Sequence, residues 1–449
     1  MEGSWWKRIR RESRLAFDLV VNERVKNHVL QAIPFWVASL LTGLVAVAYT
    51  KLFSLAEEML RKSLQWHSWS LFIIMPLSFF CAWWTVQKFA PAARGSGIPQ
   101  VMAAIEIAVP ARQKGLKVLL GLKIIVIKIL SSLLMVFGGG AVGREGPTIQ
   151  ISGSIFHLVQ KWVPASWPKL SDQRFILTGA AAGLAAAFNT PLGGVVFAME
   201  ELAKIHIKHF RTALFSAVII AGLTAQGLLG PYLYLGFPDV SNLKVSIYVG
   251  VAATAILTGL AGSYMCKGIL RIMKWKQQFS KTQSVLFILI AGLSLASIAF
   301  FLNENVLGSG KELMTRELFS GEKAVSWDTA LLRVFGPMVC FNVGASGGIF
   351  APALAAGAAI GGFVSDVFNL GGSSANILIL AGMVGFLTGV TRTPFTSAIL
   401  VLEMTDRHSV IFHLMLAALL SNIAAIIVDK QSFYDQLKKN YIAEADAKT

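Results

Sequence analysis

The chain has 449 residues, 55% of them hydrophobic and 14% charged, with a mean hydropathy of +0.63. Soluble domains usually carry about 25% charged residues, so this composition excludes an ordinary water-soluble fold. The net charge of +16 would suit nucleic acid, but the basic residues lie at the edges of apolar stretches, where cytoplasmic loops concentrate Lys and Arg. No nucleic acid partner is expected.

Residues 1–29 read as a cytoplasmic N-terminal segment. Trp5, Trp6, Ile9, Leu15 and Phe17 alternate with Arg and Lys, a pattern that fits an amphipathic helix on the membrane surface as well as a plain tail. The segment lacks the basic tip and apolar core of a cleavable signal. Apolar stretches long enough to span a bilayer, roughly 20 residues each, follow at 31–55, 69–90, 116–137, 175–199, 212–235, 245–265, 284–302, 376–402 and 409–428. They are apolar on every side, whereas β-barrel strands alternate in polarity. The expected fold class is therefore an all-α polytopic membrane protein. Basic residues precede the first stretch and Lys430, Lys438 and Lys439 follow the last, so both termini are expected in the cytoplasm. Residues 438–449 read as a short tail, with no additional soluble domain expected. Cys81, Cys266 and Cys340 lie in apolar surroundings without metal-ligand spacing and read as inert core residues.

The sequence repeats itself. Thr190-Pro191 and the run to Glu200 match Thr393-Pro394 and the run to Glu403, an offset of 203 (393 − 190). Upstream, GREGP ends at Pro147 and GGIFAP at Pro352, an offset of 205 (352 − 147). GSG at 95–97 has a possible counterpart at 308–310, which otherwise reads as a connection because it lacks the P-loop spacing. The halves are placed at 30–235 and 236–437, and such duplication in transporters commonly means inverted repeats with broken helices around a central site. Glu200 and Glu403 then share one structural role.

GGGAVGREGPTIQ places Arg144 and Glu145 in apolar surroundings, where a charge costs roughly 2.5 to 3.5 kcal/mol even on the lenient insertion scale. Pro147 fits the first turn of a helix, and helix N-termini attract anions through free N–H groups and the aligned dipole. Glu145 is an anion at such an end: ionised, its carboxylate could occupy an anion site, and protonated, leave it. The plainer alternative is an Arg144–Glu145 charge pair. GGIFAP repeats the plan with Phe350 in place of the charge, and GSGIP offers the Ser96 hydroxyl between two glycines.

GSGIP, GREGP, GGIFAP, FNTPLGGVVFAMEE and LVLEMTD, in this order over roughly residues 30–437, resemble the CLC family of chloride channels and transporters. The resemblance implies two inverted repeats and a homodimer with one anion pathway per subunit. It also implies that Ser96, the backbone N–H groups of Ile349 and Phe350, and Tyr434 or the nearby Tyr441 ligate the anion. Tyr434 fits the family pattern better. Glu145 matches the gating glutamate, supported by Gly95, Gly97, Gly143, Arg144 and Gly146. Lys128 matches a basic position that raises the potential along the pathway, unless it snorkels to an interface. Gln100 departs from the family's usual glutamate. By the same resemblance Ser96 supports chloride, with bromide and nitrate expected to permeate as well.

Glu201, the second acid of FAMEEL, matches the carboxylate with which antiporters of this family relay protons; channels commonly carry an apolar residue there. The expected activity is H+/Cl− antiport, with a passive chloride channel as the alternative. A structural role for Glu201, capping a helix or pairing with Lys204, Lys208 or Arg211, is the plainer reading. Chloride is expected as bound substrate, with protons and lipid as further partners, no metal and no cofactor. An enzyme using Glu145 and Glu201, or a metal at His206 and His209, lacks any supporting motif. The resemblance and the absence of regulatory domains imply a bacterial inner membrane.

Overall fold

The computed structural model describes residues 23–447 except 110–111, 169, 204–210, 231–232, 322 and 324. The amphipathic reading of the first residues, and Lys204, His206, Lys208 and His209, lie outside the described residues, as does the side chain of Arg211. The described residues form helices α1 (Glu23–Trp66), α2 (Leu71–Phe89), α3 (Ile98–Ile107), α4 (Gln113–Leu119), α5 (Leu122–Phe137) and α6 (Glu145–Lys161). Next come α7 (Asp172–Phe188), α8 (Pro191–Phe197), α9 (Arg211–Leu229), α10 (Ile247–Lys276), α11 (Lys281–Phe301) and α12 (Lys311–Phe319). The chain ends with α13 (Trp327–Asn342), α14 (Phe350–Val367), α15 (Gly372–Thr391), α16 (Pro394–Thr405), α17 (Ile411–Val428) and α18 (Phe433–Asp446).

Nine helical stretches among the described residues are long and apolar enough to cross a membrane. They correct the sequence reading in three places. The stretch 175–199 is two helices, α7 and α8, because Asn189 turns left-handed (φ 57°) just before Pro191. The stretch 376–402 divides likewise at Arg392 (φ 63°) before Pro394. Proline lacks the N–H that would continue the helix but suits its first turn.

The third correction is α14, whose length and hydropathy qualify it as a span that the sequence reading left out. It is the small side chains that let α14 meet α15. An added Cβ on Gly361 would lie 2.8 Å from the Cα of Ile379, and one on Gly357 2.8 Å from the Cα of Met383. Small residues allow such backbone approach between membrane helices. These two helices are the most enclosed of the spans, whereas α9 and α11 leave most of their surface outward.

The element sequence recurs: α5, α6, α7 and α8 are followed, about two hundred residues on, by α13, α14, α15 and α16. Two sets of contacts tie counterpart positions together. The Glu403 carboxylate accepts hydrogen bonds from the N–H groups of Leu192 (3.0 Å) and Gly193 (2.8 Å) at the start of α8. Glu200 does the same for Phe395 (3.1 Å) and Thr396 (2.6 Å) at the start of α16. Each acid caps the start of the helix that leads to the other acid. The shared structural role expected for this pair is what the geometry delivers.

The second set involves buried cations. Lys128 on α5 donates to the carbonyls of Ala93 (3.0 Å) and Gly95 (2.8 Å). Arg333 on α13, 205 positions later (333 − 128), donates to the carbonyls of Leu307 and Gly308, each at 3.0 Å. Each cation fixes the turn that carries a GSG tripeptide. The 308–310 tripeptide therefore opens a helix, α12, with Gly310 as its left-handed N-cap, as Gly97 caps α3.

Removing a capping acid leaves two amide donors without their charged acceptor. Glu200→Ala and Glu403→Ala should each destabilise the protein by about 1–2 kcal/mol, seen as a lower thermal midpoint in detergent, with Glu→Gln less severe. Unchanged midpoints in both alanine variants would contradict the reciprocal capping.

Candidate functional site

Three glycine-bearing turns meet where α3, α6 and α14 begin. Gly95 N–H donates to Ala345 O (2.7 Å) and Gly347 N–H to Gly95 O (3.1 Å). Gly143 and Gly348 exchange both backbone bonds, at 2.8 and 2.7 Å. The chains are so close that side chains do not fit. A Cβ on Gly97 would lie 2.8 Å from Gly146 O, one on Gly146 2.8 Å from Ser96 O, and one on Gly348 3.0 Å from Gly146 N. Gly95 and Gly97 also have positive φ (64° and 105°), which glycine adopts without steric cost. GSGIP, GREGP and GGIFAP, far apart in sequence, are thus one structural unit.

The helices that leave this unit carry the sequence-predicted residues. Ser96 precedes the N-cap Gly97 of α3, and Pro99 lies in that helix's first turn. Arg144 is the N-cap of α6 and Glu145 its first residue. Ile349 is the N-cap of α14 and Phe350 its first residue, so Phe350 occupies the position of Glu145 in the other copy. Ser96, Glu145, Ile349, Phe350 and Tyr434 are all buried. Their surroundings are aromatic: the Phe350 ring lies parallel to Tyr434 at 6.3 Å between centroids, with Phe188 at 6.2 Å and Phe197 edge-on at 6.1 Å.

The hydroxyls of Ser96 and Tyr434 are buried and face one another, and neither has a hydrogen bond to any other group. A buried hydroxyl without a partner is costly, and two facing ones at convergent helix starts define a place for a small acceptor. Tyr441 is placed differently, its hydroxyl donating to Arg94 O at 3.4 Å beneath the Arg94 guanidinium.

Glu145 is held on several sides. Arg144 Nε stands 4.0 Å from Oε1, and Tyr234, a residue with no motif in the sequence, donates its hydroxyl to Oε1 at 3.3 Å. The charge-pair alternative is present but long. Lys128 is fully buried, which rules out snorkelling: its ammonium is spent on carbonyls of the Ser96 turn. Gln100 supports the same turn, donating to Ala92 O (3.1 Å) and Arg94 O (2.6 Å).

Glu201 is buried within a π-helical turn, Ala198–Ala203, that continues α8. Such turns insert an extra residue into a helix, and here Glu200 and Glu201 part company: Glu200 caps α16 while Glu201 points inward. No group of three or more His, Cys, Asp or Glu suited to a metal occurs among the described residues.

The nine apolar stretches of the described residues, packed around the glycine-stitched centre, define a multi-pass integral membrane protein. The family described as "Voltage gated chloride channel" matches residues 78–425, and the chain belongs to that family. It is 30% identical to the H(+)/Cl(-) exchange transporter ClcA of Salmonella arizonae over 438 residues, 92% of this chain and 88% of the relative. The ClcA of Salmonella newport matches to the same extent. Among solved structures, a slow cyanobacterial Cl−/H+ antiporter superposes with a TM-score of 0.80 at 22% identity, covering 92% of this chain and 98% of that one. A CLC-type fluoride/proton antiporter gives 0.73 at 19% identity, with the same coverage.

Without Lys128, the carbonyls of Ala93 and Gly95 stay buried without their charged donor. Lys128→Met should cost about 1–3 kcal/mol and lower the thermal midpoint in detergent, while Lys123→Met on the exposed side of the same helix should not. Equal midpoints for the two variants would contradict the stapling role.

Proposed function

We propose that the protein is a secondary active transporter exchanging chloride for protons, not an enzyme. The observation that carries this reading is Glu145, a buried carboxylate at the first residue of α6, together with two buried hydroxyls, of Ser96 and Tyr434, that have no partner beyond each other. The backbone N–H groups at the start of α14, from Ile349 and Phe350, with Ser96 Oγ and Tyr434 Oη, ligate a chloride ion. Gly95, Gly97, Gly143 and Gly146 let the helix starts converge. Lys128 neutralises carbonyl oxygens that would repel the anion, and Arg144 balances Glu145.

Chloride and the Glu145 carboxylate compete for the same donors and the same dipole field. Ionised Glu145 closes the pathway; protonation neutralises it, it leaves, and chloride enters. Glu201 exchanges the proton with the cytoplasm, so the two ions move in opposite directions. A carboxylate at position 201 favours exchange over passive conduction, as do relatives named for H(+)/Cl(-) exchange and the antiporter fold. Ser96 supports chloride as the anion.

The reciprocal caps and paired cations support residues 30–235 and 236–437 as inverted repeats, flanked by the cytoplasmic segments 1–29 and 438–449. The protein works as a homodimer with one pathway per subunit, in the lipid of a bacterial inner membrane with both termini cytoplasmic. It uses no cofactor, because the gradients of the two ions supply the driving force.

Glu145→Gln removes the charge that competes and the group that titrates. In proteoliposomes it should keep chloride flux, independent of pH, and lose proton movement. Glu201→Gln should keep chloride flux and lower chloride-driven proton uptake by about tenfold or more. Undiminished proton uptake in Glu201→Gln would overturn the relay.

A further inference from the structure

The hydroxyl that reaches Glu145 comes from a segment no motif singled out. Tyr234 lies between α9 and α10, is buried, and donates to Glu145 Oε1 at 3.3 Å. Its ring is clamped: Phe188 meets it edge-on at 5.1 Å, and the ammonium of Lys311, the first residue of α12, lies 4.7 Å from its centroid.

The backbone that follows is pinned from three elements. Leu235 N–H donates to Met404 O of α16 at 3.1 Å. Arg407 donates to Pro238 O (2.7 Å) and Phe237 O (3.0 Å). Asn376 of α15 donates to Asp239 O (2.8 Å). The Ser373 and Ser241 hydroxyls hold the Asp239 carboxyl below its usual range. So many fastenings hold Tyr234 at a fixed height over Glu145.

We propose that Tyr234 is a positioning residue that latches the ionised Glu145 carboxylate in place and so sets the pH at which the pathway opens. This rests on the reading of Glu145 as the group that competes with chloride. An O–H donor favours the charged form of the carboxylate it contacts, because a charge-assisted bond is stronger than a neutral one. Protonation weakens the latch at the moment Glu145 must leave. A cation over the face of an aromatic ring is attracted by it, and here it draws electron density from the phenol and sharpens its hydroxyl as a donor.

The other charged and titratable groups around Glu145 act alongside. Arg144 stands on its own turn, Glu57 and Tyr49 come from α1, Lys311 from α12 and Tyr434 from α18. Glu57 is in turn bonded by the Ser309 hydroxyl at 2.9 Å. None of these is altered by exchanging Tyr234 for Phe, which removes one oxygen and keeps the ring with its contacts to Phe188 and Lys311.

The test is chloride efflux from proteoliposomes across a pH series, with proton movement recorded together, for the parent protein, Tyr234→Phe, Glu145→Gln and the double variant. Tyr234→Phe should move the midpoint of acid-activated chloride flux upward by roughly half to one pH unit, the lower part of the range for a charge-assisted bond because 3.3 Å is long. In the Glu145→Gln background the same substitution should change nothing. Lys311→Gln, which leaves the hydroxyl in place, should move the midpoint the same way. An unmoved midpoint in Tyr234→Phe, with gel filtration and thermal midpoint unchanged, would overturn the latch. So would an equal effect of Tyr234→Phe with and without the Glu145 carboxylate. Proton coupling that survives in Glu145→Gln alone would instead overturn the reading of Glu145 itself, and the two failures are separable.

Discussion

The backbone contact between the three glycine-bearing turns is the constraint on which the rest of the molecule depends. Gly143 and Gly348 exchange both of their backbone hydrogen bonds, although 205 positions (348 − 143) separate them. Neighbours on both sides then approach within distances that admit no Cβ. Bringing three helix starts together in a low-dielectric interior concentrates unpaired N–H groups and dipole ends of one sign. Such a centre is unfavourable unless negative charge or acceptors occupy it, and Glu145 is the negative charge the chain itself supplies.

Holding that centre requires support from behind, and both copies of the repeated unit supply it alike. Lys128 and Arg333 stand at counterpart positions, each buried and each spent on the carbonyls of a GSG-bearing turn. Farther out, Glu200 and Glu403 fasten each copy to the other through the starts of α16 and α8. Arg392 ends α15 in a left-handed turn and uses its guanidinium on Ser263 Oγ (2.8 Å) and Ala425 O (3.0 Å), tying α15 to α10 and α17. Lys128, Arg333, Arg392, Glu200 and Glu403 thus all serve backbone groups at helix ends or turns, which is where a membrane interior leaves unpaired polarity.

Much of this architecture is legible in the amino-acid sequence, because glycine and proline state backbone requirements directly. Pro147, Pro352, Pro191 and Pro394 mark helix starts, and the Thr-Pro repeats match Glu200 to Glu403. Hydropathy is less informative. It joins α7 to α8 and α15 to α16, since an apolar run does not reveal a left-handed residue such as Asn189 or Arg392. It does qualify α14 as a span, but it does not reveal that the burial of this helix comes from Ala and Gly packing against α15. Lys128 is legible as unusual but not as a staple, because its partners are carbonyls some thirty residues away. Tyr234 is not legible at all: its role depends on a loop whose path is fixed by Arg407, Met404 and Asn376.

The central claim is that an anion binds among the α14 start, Ser96 and Tyr434. Diffraction from crystals grown in bromide tests it most directly, since bromide is chemically close to chloride and locates itself by anomalous scattering. The account predicts a peak within hydrogen-bond distance of Ser96 Oγ, Tyr434 Oη and the N–H groups of Ile349 and Phe350. A map with bromide bound elsewhere in the protein and none among these donors would contradict it.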